Sequence, residues 1–502
     1  MKPMFKTIAL LPFFLALPAA AITDDFTPRA LTLPAAPLDS VHTLGFGPLD
    51  RGWLAMDDAA REAQDLAPRY AVPHRVRLTP RTSGTWEELA GGLSLWRLRI
   101  RAEGAASLNL GFTRFRLPAG ARLQIYSADL AHVVRPFTSE DNEEHGELWT
   151  PAVPTDDLVV ELVTLRSERG GIELVLGQIG QGYRGFGPLG AETEKSGSCN
   201  MDVECMNGAD PWRETARAVG VISVGGGTFC SGSLVNNTAQ DRKMFFITAQ
   251  HCDIDSFTAS SLVVYWNYQN STCRTPGSAD SASIGNGVLT QFHTGSFFRA
   301  ESSASDFTLV ELDDPPVAAF NHYWAGWDRS SGDVSCPEGN CYECSETSLC
   351  AAIHHPRTQE KRITFAEQTI QPSSYFGSSP GSGTHLWVHW DPDPVFPPNP
   401  GLTIPPQATE PGSSGSPLYN QKRRFVGQLH GGPSACGSTD DSLSDYYGRF
   451  SVSWDVAASY LDPGNTGELF IDGRDYAGVP SSLLFNDGFE SGTTGMWSHS
   501  MP

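Results

Sequence analysis

All ten cysteines of this 502-residue chain fall at or after position 199: Cys199, Cys205, Cys230, Cys252, Cys273, Cys336, Cys341, Cys344, Cys350 and Cys436. An even number of cysteines in an exported protein reads as a disulfide framework, because such bridges persist only in an oxidising compartment. Cross-links confined to one stretch tie that stretch into a unit and leave the cysteine-free residues before it to fold separately. A domain boundary is therefore expected near residue 195.

Export is legible at the start of the chain. MKPMFKTIALLPFFLALPAAA carries Lys2 and Lys6 ahead of an apolar run from Ile8 to Leu17, and closes on Ala19, Ala20 and Ala21. That is the layout of a secretory signal peptide cleaved after Ala21. A membrane anchor needs about 20 apolar residues, and this run is roughly half that. The mature protein is expected to be secreted and free of the membrane. From Ser196 onward 15 Lys and Arg stand against 33 Asp and Glu, and upstream 20 against 24, so the cross-linked part carries most of the net charge of −22. Such a surface repels nucleic acid and anionic membranes and attracts cationic ligands, besides conferring solubility.

Residues 22 to about 70 are rich in Pro, Ala and Asp, with one short helix predicted around Met56 to Leu66. From Ser94, the segments SLWRLRIRAEG, ASLNLGFTRFRLPAG, ARLQIYSADL, DLVVELVTL and GIELVLGQIGQGY alternate apolar and polar residues between Gly, Pro and Asp turns. Period-two patterning predicts a small β-sandwich. Residues 185–200, GFGPLGAETEKSGSCN, are glycine-rich and polar with one lysine, Lys195, and read as an exposed, cleavable connection. Beyond Cys199, short runs such as KMFFITAQHC, DFTLVEL, KRITFAEQTI, HLWVHW, RFVGQLHGG and YGRFSVSW predict eight or more strands with little helix, hence an all-β barrel or sandwich pair. VSWDVAASYLDPG spaces Trp454, Ala457, Ala458 and Leu461 for one closing helix.

PGSSGSP, residues 411–417, places two serines in a stretch that ordinarily makes only a turn. A serine hydroxyl becomes a nucleophile when a base takes its proton, and an imidazole base needs a carboxylate to hold its tautomer and stabilise its charged form. KMFFITAQHC ends a strand on His251, held by the adjacent Cys252, and SASDFTLVEL sets Asp306 at the head of another. Taken singly, these read as an ordinary histidine and a solvated strand end. Together with residues 411–417 they supply base, carboxylate and hydroxyl in the chain order His, Asp, Ser. In an all-β chain that order matches the chymotrypsin arrangement, not that of subtilisins or α/β-hydrolases.

TAQHC resembles the TAAHC box of trypsin-like serine proteases, and GSSGSP resembles their GDSGGP box. The resemblance makes Ser414, not Ser413, the expected nucleophile, with the amides of Gly412 and Ser414 as the oxyanion hole. SGSCNMDVEC, SLVNNTAQDRKM, VVYWNYQNSTCR, HYWAGWDR, IHHP, THLWVHW, TEPGSSGSP, VGQLHGGPSAC and SDYYGR resemble the bacterial lysyl endopeptidases, from Ser196 to about Asp475. This implies an all-β, chymotrypsin-like double β-barrel with a C-terminal helix, preceded by a β-rich propeptide domain. The expected divisions are a signal peptide 1–21, a propeptide 22–195, a protease domain 196–475 and a tail 476–502. The implied reaction is hydrolysis after lysine, with no cofactor and no metal. The expected partners are lysine-containing peptides and the chain's own propeptide, with neither nucleic acid nor membrane, and the expected state is a monomer.

Where ordinary trypsins carry a pocket aspartate six residues before the nucleophile, this chain has Ala408. The lysyl endopeptidase motif puts the pocket acid at Asp445, whose plain alternative is a loop carboxylate like Asp440 or Asp441. By the same resemblance His430 lines the cleft and stacks on an aromatic ring, assigned to Phe376 with Tyr375 beside it. Ser413 stands where trypsins have an aspartate that captures a freed amino terminus, so maturation is expected to clear the cleft and not to insert a terminus. The scissile bond would follow Lys195. The family pairing implies Cys199 with Cys436, Cys205 with Cys273, and Cys230 with Cys252. CPEGNCYECSETSLC, residues 336–350, lies outside the family pattern, and its spacing fits two local disulfides better than a zinc site. SLLFNDGFESGTTGMWSHSMP, residues 482–502, resembles a short ending of some exported bacterial proteins. Two rival readings stand beside this one: an Arg-specific or mixed Lys/Arg protease, and a catalytically silent binding protein on the same fold.

Overall fold

The computed structural model describes residues 26–64, 66–184, 196–206, 208, 210–283, 285–330, 342–345, 348–377, 383–391 and 405–476. Ala21, Lys195, Cys336, Cys341 and the tail from 477 lie outside the described residues. Residues 26–184 build two sheets. One runs Thr43–Phe46, Leu93–Ala102, Asp157–Leu165, Arg122–Ser127, with Thr85–Glu88 added beside Leu93–Ala102. The other runs Ala71–Leu78, Glu173–Gly182, Ser107–Arg116, Leu148–Trp149. Leu98, Ile100, Leu110, Phe112, Ile125, Val160 and Ile179 share one buried core, as the period-two pattern predicts. Ala71–Leu78 escaped that pattern because it is a half-exposed edge strand that contains Pro73, a residue tolerated at an edge. The helix forms over Arg51–Glu62, earlier than Met56 to Leu66, because Asp50 caps it by accepting the Trp53 N–H at 3.0 Å.

The cross-linked part contains two barrel-like sheets. The first runs Phe292–Thr294, Val263–Tyr265, Val219–Val224, Thr228–Leu234, Phe245–Ala249, Phe307–Leu312, Ser296–Ser302. Its two outer strands are consecutive in the chain and meet at Gly295, where φ is 92°. A side chain there would run into the Asp313 carboxylate, so a glycine bend is what lets one continuous stretch serve both edges and close the sheet. The second runs from Met201–Asp202 through Arg362–Ala366, Cys350–His354, Pro417–Tyr419, Arg424–Gly431, Ser444–Arg449 and His385–His389 to Gln371–Ser373. Helix Phe450–Leu461 closes this part, burying Phe450, Ala457 and Leu461 on one face. The run YGRFSVSW therefore divides: its strand ends at Arg449 and helical spacing takes over from Phe450. The result is the all-β, chymotrypsin-like architecture.

Cys199–Cys436, Cys205–Cys273 and Cys230–Cys252 are formed, and Cys344 pairs with Cys350 inside the insertion. The N-terminal domain lies on the first barrel and shares a core with it, to which Val221, Phe229, Tyr265 and Phe292 contribute. Its chain also adds itself to the barrel edge. Phe229 N–H donates to the Pro68 carbonyl at 3.0 Å and Tyr70 N–H to that of Gly227 at 2.9 Å.

Candidate active site

Strand Phe245–Ala249 ends in a single turn, Gln250–Cys252, that carries His251, and the Cys230–Cys252 bridge pins that turn to the neighbouring strand. Asp306 leads into strand Phe307–Leu312 with φ at 51°, a left-handed conformation that Asp tolerates better than most residues. Two donors hold it there: Gln250 N–H and Gln428 Nε2 reach its carbonyl at 3.1 and 3.0 Å. So placed, its buried carboxylate meets His251 twice. Oδ2 lies 2.8 Å from His251 Nδ1, and Oδ1 accepts the His251 backbone N–H at 2.9 Å. This double contact orients the imidazole with Nδ1 toward the acid.

The structure separates the two serines of residues 411–417. Ser413 is fully buried, and its Oγ lies 2.7 Å from His354 Nδ1 while accepting the Glu410 N–H at 3.2 Å. Burial pushes the His354 imidazole down to about 3, with the Arg362 guanidinium adding to the effect, so that ring is a neutral partner. Ser414 is partly exposed and lines, with His251 and His430, a cavity of about 350 Å³. The turn between them depends on glycine. Gly412 has φ 96° and Gly415 φ 76°, and a Cβ would strike the Phe229 ring at the first and Thr248 at the second. The N–H groups of Ser413, Gly415 and Ser416 are bonded to the carbonyls of Glu410, Leu429 and Ser413. Those of Gly412 and Ser414 donate to no described residue, which suits the pair to stabilise an oxyanion.

His430 lies beside this pair, its ring stacked 5.6 Å from that of His251 and its Nε2 3.9 Å from Asp306 Oδ2. The ring stacked on its other side is Tyr375, at 3.7 Å and 8°. Phe376 is not that ring, contrary to the expectation: it takes φ 50°, turns outward to 59% exposure and packs on Tyr446. A left-handed residue sends its side chain away from the direction of its predecessor, so one turn of backbone decides which of two adjacent aromatics faces the cleft.

Asp445 is fully buried on strand Ser444–Arg449, behind the cavity wall formed by Thr409, Ser434 and Gly432. Its Oδ2 accepts from Trp390 Nε1 at 2.6 Å, Ser434 Oγ at 2.6 Å and Thr409 Oγ1 at 2.9 Å. Its Oδ1 has no partner among the described residues and faces Gly432, where a Cβ would collide with it. Burial raises the Asp445 carboxyl, opposed by the three side-chain donors and by the Ser434 backbone N–H. Ala408 is buried and brings no charge, while Glu410 accepts the Gly197 N–H at 2.9 Å and so ties the start of the cross-linked part to the serine turn. Sequence reasoning missed this role of Glu410 and the placement of His385, which lies 2.9 Å from His430. Neither residue belongs to a short motif that announces its partner.

The chain matches the lysyl endopeptidase N-terminal domain over residues 61–166 and the lysyl endopeptidase C-terminal domain over residues 193–448. A lysyl endopeptidase of Pseudomonas aeruginosa is 27% identical over 434 residues, covering 80% of this chain and 84% of the relative. Among solved structures, an HtrA-type protease AlgW with tripeptide aligns at TM-score 0.30 and 12% identity, over 50% of this chain and 64% of that one. The Rv3671c protease from M. tuberculosis in its active form aligns at TM-score 0.30 and 12% identity, over 52% and 87%. Likenesses that low carry no weight beside the strand order and the two domain matches. With both domains of the family present in their order along one chain, this protein belongs to the lysyl endopeptidase family of serine endopeptidases.

Proposed function

We propose that the protein is a secreted endopeptidase that hydrolyses peptide bonds on the carboxyl side of lysine and is made as a precursor with residues 22–195 as propeptide. Ser414 Oγ attacks the scissile carbonyl as His251 takes its proton, and Asp306 orients the ring and stabilises the imidazolium. The amides of Gly412 and Ser414 bind the oxyanion. His251 then returns the proton to the leaving amine, and water releases the acyl group by the same steps in reverse roles. The observation that carries this reading is that His251, doubly bonded to the buried Asp306, lines one cavity with the partly exposed Ser414. Digestion of a mixed peptide set by the purified mature protein, with sequencing of its own amino terminus, tests activity, specificity and maturation together. A serine-directed phosphonylating reagent that leaves Ser414 unlabelled would favour a silent binding protein.

Lysine is favoured over arginine by the state of Asp445. Three donors already occupy Oδ2, which leaves one oxygen for the substrate. An ammonium is a point charge that one oxygen can serve, whereas a guanidinium gains most from a carboxylate that offers both. The acidic cross-linked part draws such cations, and extracellular peptides and the chain's own N-terminal domain are the proposed partners of a monomer.

The N-terminal domain roofs the cleft: Asp58, Arg61, Glu62, Leu66 and Pro68 line the same cavity as Ser414. Maturation would therefore consist of cutting after Lys195 and removing this roof. A Lys195→Ala precursor is expected to stay in one piece on a denaturing gel, and its normal conversion would count against self-maturation at that bond.

Release of the roof should depend on pH. Where the N-terminal domain meets the first barrel, Asp313 and Asp314 face Asp141, Glu143, His145 and Glu147 around a small cavity, with Arg135 alongside. His145 Nε2 is 2.8 Å from Asp313 Oδ2, and Arg135 lies 2.6 Å from Asp141 and 3.9 Å from Asp314. Burial holds the Asp314 carboxyl up at about 7 and raises Asp313 and Glu143 as well. Carboxyls raised in the closed pair bind more protons there than when the domains are apart. Low pH therefore favours association, and Asp314 alone lowers the affinity by up to about tenfold per pH unit as pH climbs from the ordinary carboxylate range to about 7, with Asp313 and Glu143 acting in the same direction. The cleaved N-terminal domain is expected to co-elute with the protease at about pH 5 and to separate at about pH 8; tighter association at the higher pH would refute the assignment.

A further inference from the structure

His430 is one member of a longer row of groups. His385, on strand His385–His389, is only 3% exposed. Its Nε2 lies 2.9 Å from His430 Nδ1, and its Nδ1 lies 2.9 Å from Thr384 Oγ1. Beyond His430 the row continues to Asp306 Oδ2, 3.9 Å from His430 Nε2, and through Asp306 to His251 Nδ1. Tyr375 stacks on His430, and its ring lies 5.4 Å from that of His385. The row is therefore packed on its sides and ordered end to end.

A neutral imidazole has one N–H and one lone pair, so each ring passes a direction to the next. Burial, aided by the neighbouring His430 and opposed by Asp306, brings His385 down to about 4, so it is neutral at any pH where a serine protease works. Two directions are open. In one, the Thr384 hydroxyl donates to His385 Nδ1, His385 Nε2–H donates to His430 Nδ1, and His430 Nε2–H faces the Asp306 carboxylate. In the other, the His430 lone pair faces the carboxylate, which is repulsive. Only the first gives every contact a donor and an acceptor and meets a negative charge with a positive dipole end.

We infer that His385 is a positioning residue that fixes the tautomer of His430, so that His430 presents an N–H to Asp306 Oδ2, the same oxygen that meets His251 Nδ1. The inference rests on the reading of Asp306 as the acid that orients His251. An N–H dipole on Asp306 disperses its charge and so moderates how basic Asp306 makes His251. Without His385, the hydrogen bond that sets the direction of His430 Nδ1 is lost. His251 then becomes more basic, and the acid limb of the rate profile moves to higher pH.

The test compares His385→Leu and His385→Gln in the mature enzyme on a lysyl peptide. Gln offers an amide N–H toward His430 and an oxygen toward Thr384, so it should keep the direction that Leu abolishes. Expected for His385→Leu is a kcat lower by about threefold to tenfold with KM little changed, and an acid limb raised by about half a pH unit, both largely restored in His385→Gln. An acid limb that stays put in both variants overturns the inference. Because the Leu variant can fail to fold, nitrogen NMR of the phosphonylated wild-type enzyme gives a second measurement: His430 Nδ1 should resonate as an unprotonated nitrogen and Nε2 as a protonated one, and the reverse overturns the proposal. Failure of the underlying reading looks different, since a Ser414→Ala enzyme would then keep its activity whatever His385 does.

Discussion

Replacing Ser414 with alanine lowers kcat on a lysyl peptide by roughly 10⁴- to 10⁶-fold, the scale expected when the nucleophile of a serine, histidine and aspartate unit is removed. Its neighbour provides the control. Ser413 is buried against His354 and the Glu410 amide, so Ser413→Ala removes two hydrogen bonds that shape the turn but leaves the attacking oxygen in place. Each such bond is worth about 1 kcal/mol, so that variant should lose stability and a modest part of its rate. The pair of rates, measured on mature protein with matched circular dichroism, separates the roles. Comparable losses in the two variants would mean that the turn, and not the Ser414 hydroxyl, is what the reaction needs.

Asp445→Asn is expected to act on recognition with little cost to folding. Removing one charge of a buried ion pair costs about 2–5 kcal/mol, or roughly 30- to 5,000-fold in kcat/KM for a lysyl substrate. Asn keeps an oxygen for Trp390, Thr409 and Ser434. Burial already disfavours the Asp445 charge in the unliganded protein, so the variant should melt no lower than the parent. A substrate with norleucine in place of lysine fills the same pocket without a charge and should lose far less. The decisive number is the ratio of lysyl to norleucyl kcat/KM: if it is the same in parent and variant, Asp445 does not read the ammonium.

These two residues show how unevenly a chain discloses its site. TAQHC, SASDF and GSSGSP are local patterns whose backbone demands, a strand end or a glycine turn, are met by neighbours in sequence. Their residues duly meet in one cavity or in direct contact. The choice of Ser414 over Ser413 rests on the resemblance of GSSGSP to the family box, and the structure has Ser413 buried and Ser414 partly exposed. Period-two alternation made the long strands of both N-terminal sheets legible, but not the short strands Thr43–Phe46, Thr85–Glu88 and Leu148–Trp149, nor the edge strand Ala71–Leu78, where one exposed side and Pro73 blur the signal. The ring against His430 was not legible: Tyr375 and Phe376 are adjacent aromatics, and the left-handed φ of Phe376 that chooses between them is set by the surrounding loop.

Cysteine placement, apolar period and the boxes that resemble a known family were enough to point to a two-part, β-rich serine endopeptidase and to nominate His251, Asp306 and Ser414. Only tertiary structure decided that Glu410 holds Gly197, that His385 reaches His430, that Asp445 Oδ1 has no partner among the described residues, and that the N-terminal domain lines the cavity of Ser414. The first set depends on interactions within a few residues, which a chain repeats whenever it repeats the pattern. The second depends on side chains tens to hundreds of positions apart, whose meeting is fixed by how whole sheets pack and by the direction in which each buried hydrogen bond must run.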